Sequence, residues 1–181
     1  MNVFGLTGLP GSGKSEVGRV GSDLGHPVVR MGDMVWEHVR SLGLELESGI
    51  VGRIAHQRRQ EEGSDIWARV TADHIRKLVN ENPPTIVLID GIRSHDEVDR
   101  FQHEFEDFSI IAVHTSPQTR YERIMARKRV DDTLSYEAFL ERENRELGWG
   151  IAQVIAQADI MIVNEGSLED LDKQITTLLS R

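Results

Sequence analysis

The stretch Val3-Phe4-Gly5-Leu6-Thr7-Gly8-Leu9-Pro10-Gly11-Ser12-Gly13-Lys14-Ser15 decides how the rest of the chain is read. An apolar run leads straight into eight residues, Gly8 to Ser15, that have the spacing of a phosphate-binding P-loop. A triphosphate needs many donors in a small volume. Glycines let successive backbone N–H groups curl around the phosphates, and Lys14 reaches the terminal ones. Gly8, Leu9, Pro10, Gly11, Ser12, Gly13, Lys14 and Ser15 are therefore the expected ATP-binding residues, with the Ser15 hydroxyl placed for Mg2+. Glu16 to Leu24 is expected to be helical, so that a helix N-terminus faces the phosphates with a favourable dipole.

Outward from the loop, short apolar strands alternate with longer amphipathic stretches, the pattern of a parallel sheet covered by helices on both faces. Strands are expected near Val3 to Leu6, Pro27 to Arg30, Thr85 to Asp90, Ser109 to His114 and Ile160 to Val163. The fold class is thus α/β: a three-layer P-loop NTPase fold with a five-stranded parallel sheet. The 181 residues fit one kinase-sized domain. Residues 33–82, polar and helical, are longer than a crossover requires. Their place above the carboxyl ends of the strands suits an acceptor-binding region. Asn82-Pro83-Pro84 ends that region before the third strand.

The formal net charge of -9 argues against a surface for nucleic acid, while local arginines still allow a small anionic ligand. Lysine occurs only at 14, 77, 128 and 173, so Arg supplies most positive charge and offers forked phosphate contacts. The absence of cysteine excludes disulfides and thiolate metal sites. Met1 to Leu6 is too short for a signal segment and no later run is long enough to span a bilayer, so a cytoplasmic protein without membrane partners is expected.

Ile86-Val87-Leu88-Ile89-Asp90 is a Walker B strand with a carboxylate at its end, and Asp90 is the expected second metal residue. Gly91-Ile92-Arg93 then offers an arginine to an acceptor phosphate. Asp33, after Met31-Gly32, is expected over the same sheet edge as a general base or a magnesium-shell residue, or else as N-cap of a helix beginning at Met34. Trp36 either stacks on a base or buries in the core. The densest basic stretch holds Arg120, Arg123, Arg127, Lys128 and Arg129, followed by Asp131 and Asp132, then Arg142 and Arg145. Arg123 and Arg127 share a helix face. Phosphoryl transfer needs charge stabilisation more than covalent chemistry, so Arg127 and Arg129 in a short lid, residues 127–133, are expected to serve it. Interleaved Glu122, Glu141, Glu143 and Glu146 read as parts of solvated faces. The seven histidines have no ligand spacing.

Taken together, the P-loop, Met31-Gly32-Asp33, Asp90-Gly91-Ile92-Arg93 and Arg129-Val130-Asp131-Asp132 resemble the nucleoside monophosphate kinase superfamily in the order of its segments. More closely, Pro27 to Asp33, Ile89 to Ser94 and Ala158 to Glu165 resemble an archaeal family described as adenylate-kinase-related or dephospho-coenzyme-A-kinase-like. The chain departs from adenylate kinases at Trp36, where they carry an acceptor-gripping arginine, with Arg40 one turn onward as a substitute. It also lacks their proline between glycine and arginine after Walker B. Leu24 to Val29 and Ala158 to Glu169 resemble dephospho-coenzyme-A kinases. That likeness implies Asp33 as base on a ribose hydroxyl and places the Asn164 to Ser167 loop beside the ATP adenine. Ser167 is equally explained as an N-cap.

The resemblance implies an ATP- and Mg2+-dependent phosphotransferase whose partner is a small nucleotide-like acceptor. The site would comprise Lys14, Asp33, Arg93, Arg127 and Arg129, with Arg123 and Asn164 at the nucleotide and Ser15 and Asp90 at the metal. The alternatives are transfer to a ribose hydroxyl, as in dephospho-coenzyme-A kinase, and a regulatory nucleotide-binding ATPase. A GTP switch lacks its Asn-Lys-x-Asp motif here, and the net charge disfavours a nucleic-acid end kinase.

Overall fold

The computed structural model describes residues 1–79, 83–127 and 135–180, and for Ser48 and Arg127 the backbone alone. Strand β1 (Asn2–Thr7) passes through the P-loop into α1 (Lys14–Asp23), which leads to β2 (Val28–Arg30). The helices α2 (Met31–Ser41), α3 (Ser48–Glu62) and α4 (Ile66–Val79) follow before β3 (Ile86–Asp90). Then come α5 (His95–Glu104), β4 (Phe108–His114), α6 (Pro117–Arg127), α7 (Tyr136–Gly148), α8 (Ile151–Ala156), β5 (Ile160–Val163) and α9 (Leu168–Leu179).

The strands form a five-stranded sheet in the order β2-β3-β1-β4-β5, every neighbouring pair parallel. Parallel strands need helical crossovers, and these cover both faces. The side-chain period of two in β3 shows the consequence. Val87 and Ile89 belong to one core, with Val35 of α2, Trp67 and Ile75 of α4, Phe101 of α5 and Val154 of α8. Ile86 and Leu88 belong to the other, with Val17 and Val20 of α1 and Leu171, Ile175 and Leu179 of α9. The chain leaves β1 toward β2 on one side and returns across it to β4 on the other. The carboxyl ends of β1, β3 and β4 therefore flank a switch point, where a crevice opens in such sheets.

The expected strands are all present, with ends displaced by a residue at most. Pro27 stands just outside β2, and its carbonyl accepts from Leu88 N at 2.9 Å. Two helix starts differ from expectation. Helix α1 begins at Lys14, so the lysine itself opens the helix. Helix α2 begins at Met31 with Arg30 at its N-cap, because β2 runs into it without a loop. Asp33 thus stands in the first turn of α2, and the N-cap alternative for it is corrected. Residues 33–79 fold as three helices organised by Trp67. Its indole donates to the Ala55 carbonyl at 3.2 Å, beneath the Arg58 guanidinium 5.2 Å from its ring. Among the described residues no helix is long and apolar enough to cross a membrane.

Candidate active site

The loop after β1 and the loop after β3 are tied together where they leave the sheet. Leu6 and Asp90 are register partners, Thr7 Oγ1 donates to the Ile92 carbonyl at 3.0 Å, and Ile92 N donates to the Leu6 carbonyl at 3.3 Å. Between these loops and α2 lies a cleft of about 750 Å3, and Gly8, the loop from Pro10 to Ser15, Asp33, Trp36, Asp90 and Arg93 line it. That volume lies in the range of small-molecule sites.

Glycine is required in the loop by space as well as by angle. A Cβ on Gly8 (φ +143) would lie 2.4 Å from the Val113 carbonyl, and one on Gly13 (φ +106) 2.4 Å from Asn164 Nδ2. The outer side of the loop is braced through its carbonyls. Asn164 Nδ2 donates to the Ser12 carbonyl at 2.8 Å, and Thr115 Oγ1 lies 3.0 Å from the carbonyls of both Ser12 and Asn164. Arg123 donates to the Asn164 carbonyl at 3.0 Å and to its Oδ1 at 3.4 Å. Arg120 is only 2% exposed; it donates to Thr115 O at 3.0 Å, Pro10 O at 3.4 Å and Glu143 Oε1 at 2.8 Å, under the ring of Phe139. With the Pro10 and Ser12 carbonyls held on that side and Ser12 N given to the Leu9 carbonyl at 3.1 Å, the loop is fixed in shape around the cleft. Inside it, the buried Ser12 Oγ has no hydrogen-bond partner among the described residues, an unmet polar group at the place a phosphate would occupy.

Lys14 Nζ donates to the Gly8 carbonyl. Burial, foremost, pushes its ammonium down to about 8; Asp90 and Glu146 pull it back up, while Arg93 and then Arg142 add to the fall. A polyphosphate in the cleft would favour the charged ammonium against that burial. Ser15 and Asp90 both face the cleft, and neither is hydrogen-bonded through its side chain among the described residues. A hydroxyl and a carboxylate are oxygen donors that suit Mg2+ together with phosphate oxygens. No group of three metal-binding side chains gathers among the described residues, so an ion here would rest on these two and its ligand.

Asp33 is half-buried on the opposite wall, without a hydrogen bond or ion pair among the described residues. Arg93 is engaged: its Nε lies 3.0 Å from Glu146 Oε2 and its guanidinium 5.5 Å from the Trp149 ring. The Arg93 backbone is held by Glu97 at the start of α5. Glu97 Oε2 accepts from Arg93 N at 2.8 Å and Ser94 N at 3.3 Å, and the Ser94 hydroxyl accepts from Glu97 N, a complete capping box. Glu97 is buried, which pushes its carboxyl up, against those N–H donors and Arg59 of α3 at 3.5 Å.

The structure thus brings together Gly8 to Ser15, Asp33, Asp90, Arg93, Arg123 and Asn164. Asn164 and Arg123 meet the loop's backbone directly. Arg127 ends α6, with its side chain outside the described residues, and Arg129, Asp131 and Asp132 of the expected lid lie outside them altogether. Sequence reasoning missed Thr115 and the structural use of Arg120, for which no local pattern exists. It also missed Glu97, which the spacing Ser94-x-x-Glu97 signals, and the burial of Glu146.

Comparison with known proteins agrees with this geometry. A family model described as "AAA domain" matches residues 5–147. A UPF0200 protein of Methanoculleus marisnigri is 42% identical over 181 residues, all of this chain and 97% of the relative; one of Thermococcus onnurineus is 42% identical over 178 residues, 97% and 95% of the two chains. Among solved structures, TT1252 from Thermus thermophilus superposes with a TM-score of 0.66 at 21% identity, covering 99% of this chain and 96% of the other. A gluconokinase from Sinorhizobium meliloti 1021 superposes at 0.60 with 16% identity, covering 99% and 92%. The shikimate kinase of Aquifex aeolicus superposes at 0.53 with 18% identity, covering 98% and 96%. At such identities these likenesses establish the P-loop kinase fold. By its relatives and by the match over its P-loop and Walker B segments, the chain belongs to the UPF0200 protein family, in which it carries an AAA domain.

Proposed function

We propose that this protein is an ATP- and Mg2+-dependent kinase, adenylate-kinase-related in plan, that passes the γ-phosphoryl group to a nucleotide-like acceptor. One observation carries the reading: a P-loop with its buried Lys14 shares a single cleft with Asp33, a carboxylate that no hydrogen bond or ion pair holds among the described residues. In this scheme Lys14 and the loop amides hold the donor phosphates, and residues 33–82 hold the acceptor. Ser15 and Asp90 would hold Mg2+, which would supply charge neutralisation to the phosphates. Arg127 and Arg129, in a lid over 127–133, neutralise the charge that develops on transfer, with Arg93 at the acceptor side.

Asp33 favours a hydroxyl as the attacking group, because an ionised phosphate needs no base. The carboxylate takes the hydroxyl proton, the oxygen forms its bond to the γ-phosphorus, and the bond to the bridging oxygen breaks to release ADP. The test is ATP consumption against nucleoside monophosphates, dephospho-coenzyme A and nucleosides, with Lys14→Ala as blank. At least one acceptor should raise turnover well above the blank. Asp33→Asn should lower kcat by about 10²–10⁴-fold with the KM for ATP little changed. Slow hydrolysis that no acceptor accelerates would instead favour the regulatory ATPase.

A further inference from the structure

Three side chains of the acceptor wall stand on one face of α2 and its cap. Arg30, Asp33 and Trp36 follow at i, i+3 and i+6, within an arc of about 120°, and they span about 9 Å along the axis. All three line the cleft. Arg30 caps α2 from the last position of β2, where its register partner is Asp90, so it stands beside the expected metal residue. It is exposed, and among the described residues no hydrogen bond or ion pair holds it. The other cleft arginines are engaged: Arg93 by Glu146, Arg123 by Asn164, and Arg142 also has a partner.

The three tryptophans divide in the same way. Trp67 is buried under Arg58, and Trp149 lies between Arg93 and Arg145. Trp36 is 46% exposed and, among the described residues, no ring or guanidinium covers it. An aromatic face left open in a binding cleft is an expensive surface to hold in water unless a flat ligand covers it.

We infer that Arg30 and Trp36 select the acceptor: Arg30 takes its anionic group, Trp36 stacks on its ring, and its hydroxyl lies at Asp33 between them. The inference rests on the kinase reading and narrows its substrate class to a ring-bearing hydroxyl compound with one anionic group. Charge supports that number, since Arg30 is the cation of this wall and a second anionic group would lie at the Asp33 carboxylate, which would repel it. Arg93, at the acceptor side, is held by Glu146 and Trp149 and so also fastens α7 to the Walker B loop.

The experiment fills the donor site with the β,γ-imido analogue of ATP and Mg2+, then titrates three probes by calorimetry and tryptophan fluorescence. Adenosine 5′-monophosphate carries ring and anion, adenosine the ring alone, and ribose 5-phosphate the anion alone. The monophosphate should bind at least tenfold tighter than either fragment. Arg30→Ala should weaken it by about tenfold or more, with partial recovery in Arg30→Lys, and should leave the fragment adenosine unaffected. Trp36→Ala should weaken the monophosphate and adenosine alike and abolish the fluorescence change, while Trp36→Phe retains most of the affinity. Unchanged affinity in both alanine variants overturns the assignment, and so does failure of all three probes to bind beside a bound analogue. Failure of the analogue itself to bind, measured first against Lys14→Ala, overturns the kinase reading instead.

Discussion

Replacing Lys14 by Met should stabilise the nucleotide-free protein at neutral pH while destroying its grip on ATP. The lysine has an ordinary value of 10.5 and is pushed down to about 8, chiefly by burial. At about 1.4 kcal/mol per pH unit, holding it charged at pH 7 costs about 3 kcal/mol. Removing it forfeits the hydrogen bond to the Gly8 carbonyl, worth about 1 kcal/mol, so the net gain is about 2 kcal/mol. The sign follows from proton binding. Between about pH 8 and 10.5 the unfolded chain holds the Lys14 proton and the folded chain does not, so the wild type gains stability as pH rises through that window. The advantage of Lys14→Met should therefore be full below about pH 8 and vanish near pH 10. Urea unfolding of both proteins at pH 7 and pH 10 measures it, and the pH 7 gain corresponds to a rise of about 4–8 °C in Tm. Saturating MgATP should raise the wild type by about 2.7 kcal/mol at a hundred times Kd and leave the variant unmoved. A variant less stable at pH 7, or a difference indifferent to pH, refutes the reasoning.

Two further changes test the supports of the site. Gly13→Ala drives a Cβ into the Asn164 amide at a left-handed backbone angle, and Asn164→Ala removes a donor to Ser12 while leaving Arg123 short of acceptors; each should raise the KM for ATP at least tenfold and lower Tm, with the effects of the double variant less than additive because both act through one contact. For Glu97, burial raises the carboxyl above its ordinary 4.5, so the stability it lends is present while it is protonated and is lost as pH rises through its folded value. Glu97→Gln keeps an oxygen for the Arg93 and Ser94 N–H groups and should flatten the decline of stability as pH rises above 4.5, measured by thermal unfolding; an unchanged slope would refute burial of the carboxyl as its cause.

The sheet was legible because its strands are continuous apolar runs that only a doubly covered parallel sheet can bury, as Ile86 to Ile89 illustrate. The loop was legible because its glycines, lysine and serine are a local answer to a local demand. What escaped was long-range. Arg120 looks like one more cation on a solvated helix, and its burial is set by Pro10, 110 residues away, and by Glu143. Glu146 sits in an evenly charged segment, yet it is 7% exposed because it closes on Arg93. For Asp33 the N-cap alternative failed, since β2 runs straight into α2 at Met31 and leaves Asp33 in the first turn of the helix.

The brace between Asn164 and Ser12 joins residues 152 apart. The loop's shape therefore depends on β5 having paired with β4, a contact far along the chain from the phosphate-binding residues themselves. A chain in which β5 has not yet docked carries a complete phosphate-binding motif without the brace that holds its geometry. Ligand-linked stabilisation by nucleotide should therefore reach the fold only once β5 is in place, so that binding at the loop reports on the docking of a strand the ligand does not touch.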